Sequence, residues 1–244
     1  MNINWNKSPY SSCLHSSEVH IHRIDINSAK HFIPQLEQTL TAEEKSRILK
    51  FIFEKDRIIQ TLSRAILKDI LGRYLSIKPA GVSILNDEYG KPFIDHTLNP
   101  DNITFNLSHS GNMILYAVSR NRNVGIDVEL IKEIDSIDDL IKQNFSQDET
   151  GTLLQLTGRD KTDAFYSCWT RKEAYVKAMG KGLSYPLDKF TVSVFHGEDN
   201  SLLHDENNDV SQWTLKEIPS YPGYAAAAAV EGKNVNFKFY EWTF

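Results

Sequence analysis

The sequence contains only two cysteines, Cys13 and Cys168, and they lie far apart in the chain. This scarcity excludes a fold built on disulfides, and no cysteine or histidine pattern has the spacing of a zinc site. The N-terminus lacks a basic region followed by an apolar run, and no segment approaches the ~20 apolar residues that span a bilayer. We therefore expect a cytoplasmic protein that has no signal peptide and does not enter a membrane.

Several familiar signatures of chemistry are missing as well. There is no Gly-x-Ser-x-Gly nucleophile motif and no Walker A loop. The formal net charge of -5 argues against general nucleic-acid binding. The charge is uneven, however, because the segment 45–78 carries nine Lys or Arg residues against three Asp or Glu residues. Such a segment is either a solvated helix face or a site for phosphates or for an acidic partner.

The remaining composition is that of an ordinary globular protein, with 244 residues of which 41% are hydrophobic and 24% charged. This length is sufficient for one large or two small domains. The apolar periodicity predicts the order strand, helices, strands, helices, strands. That order favours an α+β fold in which helices pack on antiparallel sheets.

The local patterns place the individual elements. Helical spacing of apolar residues and capping-box patterns at Thr41 and Ser146 predict helices at 28–40, 41–53, 56–75 and 160–179 and one that begins near Ser146. Runs of β-branched and aromatic residues predict strands at 19–26, 82–85, 103–107, 113–118, 124–129, 190–195, 213–218 and 237–244. The five alanines at 225–229 are interpreted as a buried strand, because glycine and proline bound them too closely for a helix.

One helix carries a line of side chains that changes from aromatic to acidic to basic. Phe165, Trp169, Glu173 and Lys177 recur every fourth residue, so they lie nearly in line on one face. Taken alone, the last two are explained by a surface ion pair that stabilises a helix by about 0.3–0.5 kcal/mol.

A second acidic cluster lies upstream, where Asp127 and Glu129 are two residues apart on a predicted strand. Both side chains leave the same face of the strand, and Gly125 clears space beside them on that face. Two close carboxylates repel each other unless a cation, a proton or a basic residue lies between them. Oxygen ligands of this kind suit Mg²⁺, although for the pair taken alone a solvent-facing edge strand with two ordinary acids is the favoured explanation.

The segment 106–111, Asn-Leu-Ser-His-Ser-Gly, ends another predicted strand. Small polar residues and a histidine at such a junction can hold an anion through side-chain and backbone N–H groups. Plain turn chemistry, with His109 on the surface, is the alternative. Glu149 is sufficiently explained as the partner of Ser146 in a capping box.

Taken together and in order, these motifs resemble the 4′-phosphopantetheinyl transferases, specifically the larger, two-lobed type represented by the surfactin-synthetase activator. The resemblance covers residues 90–183, and the basic helices extend it to about Lys45. The motifs are Gly90-Lys91-Pro92, Asn106-Leu107-Ser108-His109-Ser110, Val124-Gly125-Ile126-Asp127-Val128-Glu129, Phe145-Ser146-x-x-Glu149, and Trp169 to Lys177 followed by Gly180-Lys181-Gly182-Leu183.

The resemblance implies two similar α+β lobes related by a pseudo-two-fold, with the active site at their interface. Residues 1–17 are then a loosely ordered lead-in. Residues 18–120 form the N-terminal lobe, on the side of the coenzyme A adenosine and 3′-phosphate. Residues 121–244 form the C-terminal lobe, on the metal and catalytic side. A monomer is expected, because both lobes lie in one chain.

The resemblance also implies a reaction and its residues. The 4′-phosphopantetheine group of coenzyme A would pass to a serine of an apo carrier protein (acyl, aryl or peptidyl), with adenosine 3′,5′-bisphosphate as the second product. Glu173, Lys177 and His109 would be catalytic, and Mg²⁺ would be held by Asp127, Glu129 and Glu173. Coenzyme A would contact a larger set: Tyr89, Gly90, Lys91, Pro92 and the rest of the 89–94 segment, Ser108, His109, Lys177, and, for the 3′-phosphate, Arg57 and Arg64 followed by Arg47.

The physical chemistry is compatible with these roles. Mg²⁺ together with Lys177 and His109 would offset the charge that develops on the leaving group when the pyrophosphate of coenzyme A is cleaved. Glu173 is the expected general base for the acceptor hydroxyl. A carboxylate that also holds a metal is a poor base, because the cation lowers its pKa. Whether Glu173 or a metal-bound water takes the proton therefore stays open.

Two other functions remain as alternatives. A different Mg²⁺-dependent phosphotransferase would share the acidic cluster but gives no reason for the Lys91-Pro92 and Ser108-His109 motifs. A non-catalytic relative that only binds carrier proteins predicts the loss of at least one acid or of Lys177, and all of them are present. The sequence does not identify the carrier, so fatty-acid, polyketide and nonribosomal-peptide carriers all remain open.

Overall fold

The computed structural model describes residues 4–9, 13–182, 185–195, 197 and 202–244. Leu183, the last residue of the Gly180-Lys181-Gly182-Leu183 motif, lies outside these residues. Within them the chain alternates α-helices and mostly antiparallel strands, so the predicted α+β class is confirmed. No helix in this part of the chain is both long and apolar enough to cross a membrane.

Seven α-helices lie in the described residues. They are α1 (Ile26–Ala29), α2 (Ile33–Leu36), α3 (Ala42–Leu49), α4 (Glu54–Leu75), α5 (Ile137–Asn144), α6 (Gln147–Leu153) and α7 (Gly158–Met179). Both capping boxes predicted from the sequence are present, with Thr41 capping α3 and Ser146 capping α6. Each box satisfies two backbone N–H groups that the helix itself leaves without partners.

The prediction of one helix at 28–40 is wrong. Pro34 has no backbone N–H to donate, so the segment is divided into the two four-residue helices α1 and α2 with 3₁₀ turns between and after them. Helix α3 likewise ends at Leu49 rather than near Phe53. Helix α5 was not predicted from the sequence.

Twelve strands lie in the same residues. They are β1 (Asn6–Lys7), β2 (Glu18–Asp25), β3 (Ile84–Asn86), β4 (Pro92–Ile94), β5 (Ile103–Ser110), β6 (Met113–Arg120), β7 (Val124–Leu130), β8 (Phe190–Val192), β9 (Leu202–Asp205), β10 (Trp213–Glu217), β11 (Tyr224–Glu231) and β12 (Asn236–Glu241). The alanine run is the core of β11, as predicted, and its small side chains are buried. A five-stranded sheet has the order β1-β12-β2-β6-β5, and a three-stranded sheet has the order β10-β11-β7.

The two halves of the chain repeat one connection pattern. In the first half, β2 pairs with β6, β6 pairs with β5, and a 22-residue helix and the β3–β4 hairpin lie between them in sequence. In the second half, β7 pairs with β11, β11 pairs with β10, and a 22-residue helix and the β8–β9 hairpin lie between them. This parallel supports two related lobes. The pseudo-two-fold and the lobe boundary at residue 120 stay predictions, and β12 returns to pair with β2.

Three buried apolar clusters hold the elements together. One lies between α4 and the first sheet, and a second surrounds α7. The third contains side chains of both sheets, such as Ile21 and Leu115 from the first and Ile126 and Ala228 from the second. Because this cluster fixes one sheet against the other, strands β5 and β7 are held side by side. The candidate site lies along this pair.

Candidate active site

The edge strands β5 and β7 meet through side chains. The side chain of Asn106 accepts a hydrogen bond from the backbone N–H of Ile126 at 2.9 Å, which satisfies an edge donor that the ladder leaves open. Two residues on, the Ser108 hydroxyl donates to Asp127 Oδ1 at 2.8 Å. The alternation of a strand therefore places the polar side chains of β5 opposite the acids of β7.

The same alignment continues at the next pair. The Ser110 hydroxyl donates to Glu129 Oε2 at 2.8 Å and accepts from the backbone N–H of Leu130 at 3.0 Å. Asn106 and Ser110 were not assigned individual roles from the sequence. Their period-two spacing around Ser108 is the signal that identifies them, because residues i, i+2 and i+4 share one face of a strand.

Gly125 allows helix α7 to lie directly against this acidic face. A Cβ atom at Gly125 would overlap the carbonyl of Ala174 and the backbone of Ala178. Gly125, Asp127 and Glu129 share a face, as the sequence predicted, and that face meets α7. The close approach brings Glu173 and Lys177 of the helix to the acids of the strand.

Lys177 closes the contact between helix and strand. Its Nζ donates to Asp127 Oδ1 at 2.6 Å, to the Ser108 hydroxyl at 3.2 Å and to the carbonyl of Ile126 at 3.4 Å. The expected line along α7 is also present, since the rings of Phe165 and Trp169 are stacked with centroids 5.8 Å apart. A cleft of about 430 Å³ is lined by Leu107, Ser108, His109, Asp127, Glu129, Trp169, Glu173 and Lys177.

Negative charge is concentrated in this cleft. Burial raises the pKa of Glu173, and the nearby Asp127 carboxylate raises it further. Burial and the Asp127 charge likewise raise the pKa of Glu129, although the hydrogen bond from Ser110 opposes the rise. Three carboxylates thus face one ammonium group, and the site favours the arrival of further positive charge.

His109 lies at the exposed rim of the cleft. The surrounding protein lowers the pKa of its imidazole, and the positive charge of Lys177 lowers it further. The neutral ring is therefore favoured near neutral pH, and one of its nitrogens can accept a hydrogen bond.

The donor set fits a hard divalent cation. Asp127 Oδ2 is buried and has no hydrogen-bond partner, although its other oxygen accepts two bonds. An unsatisfied buried carboxylate oxygen is costly, and a cation would satisfy it. No three acidic, histidine or cysteine side chains in the described ranges are already arranged around a single ion position. The fit therefore rests on the chemistry of the donors.

The predicted nucleotide segment lines a separate pocket of about 510 Å³. Tyr89, Lys91 and Pro92 contribute to one wall, and Gly180, just beyond α7, contributes to another. Gly90 has a positive φ of 83°, as the turn requires. Lys91 Nζ donates to the carbonyls of Lys177 and Ala178 at 2.8 and 3.2 Å, so the pocket is connected to the C-terminal end of α7.

The three predicted 3′-phosphate residues already have partners, and none of them lines either pocket. Arg64 donates to Glu44 at 2.6 Å and to the carbonyl of Ile84 at 3.0 Å. Arg57 donates to two backbone carbonyls between α3 and α4, and Arg47 pairs with Glu43 one turn before it in α3. The structure therefore brings the acidic residues together with Ser108, His109 and Lys177, but it does not bring these arginines to them.

A fully buried ion pair fixes the opposite side of α7. Lys172 Nζ lies 2.8 Å from Glu149 Oε2 and also donates to the carbonyls of Leu187 and Phe190. Glu149 accepts from the backbone N–H of Val192 at 2.7 Å in addition to its capping role. Glu149 is thus a structural residue, as predicted, but its bonds extend beyond the capping box.

Two family models match the chain. The model described as the 4′-phosphopantetheinyl transferase superfamily matches residues 123–229. The model described as the N-terminal part of 4′-phosphopantetheinyl transferase matches residues 27–121. The first match contains β7 and α7, and the second contains α4 and β5.

Individual relatives match over most of the chain. The 4′-phosphopantetheinyl transferase HetI of Nostoc sp. is 32% identical over 238 residues, which cover 98% of this chain and 98% of the relative. The 4′-phosphopantetheinyl transferase Sfp of Bacillus subtilis is 30% identical over 188 residues, which cover 77% of this chain and 80% of the relative. The 4′-phosphopantetheinyl transferase gsp of Aneurinibacillus migulanus is 29% identical over 195 residues, which cover 80% of this chain and 78% of the relative.

Proposed function

The chain belongs to the 4′-phosphopantetheinyl transferase superfamily, and from that premise we infer that it transfers the 4′-phosphopantetheine group of coenzyme A to a serine hydroxyl of an apo carrier protein. The observation that carries this proposal is the meeting of β5, β7 and α7, where Asp127, Glu129, Glu173, Lys177 and His109 line one cleft. The products are the holo-carrier protein and adenosine 3′,5′-bisphosphate.

The two pockets suit the two ends of coenzyme A. The pocket beside Tyr89, Lys91 and Pro92 would take the nucleotide, and the cleft beside Ser108 and His109 would take the pyrophosphate. Arg47, Arg57 and Arg64 remain proposed contacts of the 3′-phosphate. Arg64 would have to share its guanidinium with Glu44, since both groups are partly buried and bonded to each other.

We propose that Asp127, Glu129 and Glu173 hold Mg²⁺. The buried, unsatisfied Oδ2 of Asp127 and the excess of carboxylates support this assignment. The ion would neutralise the acids and polarise the pyrophosphate of coenzyme A. Lys177 is the cation that neutralises Asp127 in the protein alone, and its ammonium would then be available to the phosphate oxygens.

Residues of this chain can accept the proton of the carrier serine and stabilise the negative charge on the leaving group. The serine oxygen of the carrier forms a bond to the β-phosphorus of coenzyme A, and the bond from that phosphorus to the bridging oxygen breaks. Glu173, whose pKa is raised by burial, is the proposed acceptor of the serine proton. Lys177 and neutral His109 would stabilise the charge on the departing bisphosphate by hydrogen bonding.

The proposed function also carries expectations about the cell compartment, the oligomeric state and the acceptor carriers. The two free cysteines suit a reducing cytoplasm. We propose a monomer that needs no nucleic acid or membrane, in which residues 18–120 hold the nucleotide side and residues 121–244 hold the catalytic side. Fatty-acid, polyketide and nonribosomal-peptide carriers all remain candidate acceptors.

Intact-mass spectrometry tests the proposed activity. The purified chain is incubated with coenzyme A, Mg²⁺ and, in separate reactions, an apo acyl carrier protein and an apo peptidyl carrier domain. We expect a mass gain of one phosphopantetheine on at least one carrier, and its loss when a chelator removes the metal. A folded preparation that modifies none of several carrier types would contradict the proposal.

A further inference from the structure

The turn between β5 and β6 lies against the end of β7. Strand β5 ends at Ser110, and Gly111 and Asn112 form the turn. The Ser110 hydroxyl donates to Glu129 Oε2 at 2.8 Å and accepts from the backbone N–H of Leu130 at 3.0 Å. Because a hydroxyl has a single proton, the bond to the carboxylate uses its only donor, and the bond from Leu130 fixes its orientation.

The β5–β6 turn is itself held in place from two sides. The backbone N–H of Asn112 donates to the Tyr224 hydroxyl at 3.0 Å, and the Asn112 carbonyl accepts from the backbone N–H of Ile26 at 2.8 Å. Tyr224 belongs to β11 and pairs with Leu130 in the second sheet. Gly111 has a φ of 57°, and a Cβ there would lie 2.6 Å from the Tyr224 hydroxyl. The serine that reaches β7 therefore starts from a fixed backbone.

The two acids of β7 are held in different ways. Asp127 Oδ1 accepts hydrogen bonds from Ser108 and from the ammonium group of Lys177. Within the described residues Glu129 has no ion-pair partner, and its carboxylate accepts through Oε2 from the Ser110 hydroxyl alone. The direction of the Glu129 carboxylate therefore depends on Ser110, whereas two groups fix that of Asp127.

Hydrogen bonds of this kind influence how well a carboxylate binds a metal. A glutamate side chain that is free to rotate loses conformational entropy when an ion orders it. A group that hydrogen-bonds to a metal ligand keeps the ligand in its binding orientation, and loss of that group typically costs about 10–100-fold in metal affinity. Ser110 has the position of such a group, because it binds one oxygen of Glu129 and leaves the other available to a cation.

We propose that Ser110 is a positioning residue for the cation and holds Glu129 in the orientation in which its second carboxylate oxygen receives Mg²⁺. This inference rests on the proposed function, which assigns Glu129 to Mg²⁺, and it identifies a residue that acts on the ion through that ligand. Ser110 does not line the catalytic cleft, whereas Ser108 does, so its effect passes through Glu129.

Isothermal titration calorimetry with Mg²⁺ tests this role directly. The chain is saturated with coenzyme A before the titration, and coenzyme A without protein serves as the blank. Ser110→Ala should raise the Kd for Mg²⁺ by about tenfold or more, because the carboxylate of Glu129 is no longer held. Ser110→Thr retains the hydroxyl and should keep a Kd close to the wild-type value.

Transfer kinetics distinguish positioning of the ligand from a general loss of structure. In Ser110→Ala the Mg²⁺ concentration that gives half-maximal transfer should rise in parallel with the Kd, and saturating Mg²⁺ should restore the rate. KM for coenzyme A at saturating Mg²⁺ should stay within about twofold of the wild-type value. A distorted site would not be repaired by additional Mg²⁺, so this recovery is specific to a positioning role.

Ser119, at the other end of the paired strands β5 and β6, provides a matched control. Its buried hydroxyl donates to the carbonyl of Arg122 at 2.7 Å. Ser119→Ala also removes a hydroxyl bond and should lower stability in urea unfolding, but it should leave the Kd for Mg²⁺ unchanged. Circular dichroism checks that each variant is folded.

The outcomes separate this role from the proposed function. A wild-type chain that modifies no carrier protein and binds no Mg²⁺ in the presence of coenzyme A would overturn the proposed function and its metal site. Wild-type Mg²⁺ binding with the same Kd in Ser110→Ala would overturn only the role of Ser110. A loss of transfer in Ser110→Ala that saturating Mg²⁺ does not restore would show that the serine serves the structure of the turn instead.

Discussion

At the residue scale, one missing atom sets the geometry of the candidate site. Gly125 has no Cβ, so the backbone of α7 at Ala174 and Ala178 lies directly against β7. Glu173 and Lys177 reach the acids of β7 because the two backbones are this close. Ala174 and Ala178 of α7 contribute to the same close packing, since a larger side chain at either position would push the helix away from β7.

Gly125→Ala is therefore expected to destabilise the protein by about 1–3 kcal/mol through overpacking and to lower transfer activity sharply. Urea unfolding and the carrier mass assay measure the two effects. Gly151 is a matched control, because a Cβ there meets nothing within 4 Å and the residue lies in α6. Gly151→Ala should stabilise slightly, by about 0.4–1 kcal/mol, with normal activity. Wild-type stability in Gly125→Ala would contradict the close-packing argument.

The sequence predicted the positions of the acidic site residues correctly, but it did not predict the partners of the basic ones. Asp127 and Glu129 could be placed on one face because strand alternation fixes side-chain direction within one element. The partners of Arg64 could not be predicted, because Glu44 is 20 residues away and meets it only through the packing of α3 against α4. Hydrogen bonds from the Thr41 backbone and Arg64 outweigh burial and lower the pKa of Glu44, so its carboxylate and the Arg64 guanidinium form a charged pair.

At the element scale, helix α7 is fixed at its C-terminal end by a residue from the other half of the chain. Lys91 donates to the carbonyls of Lys177 and Ala178 in the last turn of α7, where a helix leaves its carbonyls without the usual partner four residues on. The Lys177 carbonyl also accepts from the backbone N–H of Gly180 at 3.3 Å. Lys91 is half-buried, and this burial lowers the pKa of its ammonium group. The contact connects the pocket beside Tyr89 to the turn that carries Lys177.

Lys91→Met should reduce the free energy of unfolding by about 1–2 kcal/mol, because two helix-end carbonyls lose a charged donor. Transfer should slow as well, since Lys177 lies on the released turn. Denaturant unfolding and the carrier assay give the two values. Lys233, an exposed lysine that donates to the carbonyl of Trp213, provides the comparison, and Lys233→Met should change neither quantity measurably. If Lys91→Met and Lys233→Met changed the unfolding free energy and the transfer rate equally, the claim that Lys91 fixes the end of α7 would be contradicted.

The sequence predicted the helices that have a long periodic apolar face or a capping box. It did not predict the helices that are short or interrupted. Helix α4 has periodic apolar residues and α6 has a capping box, so both follow from local sequence. Helix α5 has helical spacing of Ile137, Leu140 and Ile141, but it spans only eight residues and buries only Ile141, so its local signal is too short to identify it. The segment at 28–40 contains helical residues, but 3₁₀ turns interrupt it before and after α2, whose first turn contains Pro34, and apolar periodicity alone does not predict these interruptions.

At the scale of the whole molecule, both ends of the chain join the first sheet. Strand β12 pairs in parallel with β2, and β1 pairs with β12. A buried hydrogen-bonded series extends across them: Ser8 Oγ to His22, His22 to the Tyr74 hydroxyl, Tyr74 to His20, and His20 to Glu18. No local pattern predicts a strand that pairs with a partner more than 200 residues away, so this closure was not predicted.

The buried histidines make stability depend on pH. Burial lowers the pKa of His22 from 6.5 to about 3, and the charges of His20 and Arg73 add to the effect. Below about pH 6.5 the unfolded chain binds a proton at His22 that the folded chain does not, so stability falls as pH falls. From about pH 7 to about pH 5 the loss attributable to one such histidine is about 2 kcal/mol.

Urea unfolding across this range tests the assignment. The pH dependence should be smaller in His22→Gln than in the wild type, whatever the absolute stability of the variant. His204→Gln, which changes an exposed histidine on β9, should retain the wild-type slope. An identical slope in His22→Gln would mean that other groups cause the acid sensitivity.

The most direct test of the account is the intact mass of an apo carrier protein after incubation with coenzyme A, Mg²⁺ and either the wild-type chain or Asp127→Ala. Asp127→Asn, which keeps the shape of the buried side chain, guards against a simple loss of folding. The account predicts a gain of one phosphopantetheine with the wild type and a loss of activity of about 100-fold or more in both variants, with their circular dichroism unchanged. Near-normal transfer by a folded Asp127→Asn or Asp127→Ala variant would contradict the claim that β7 and α7 form the catalytic centre.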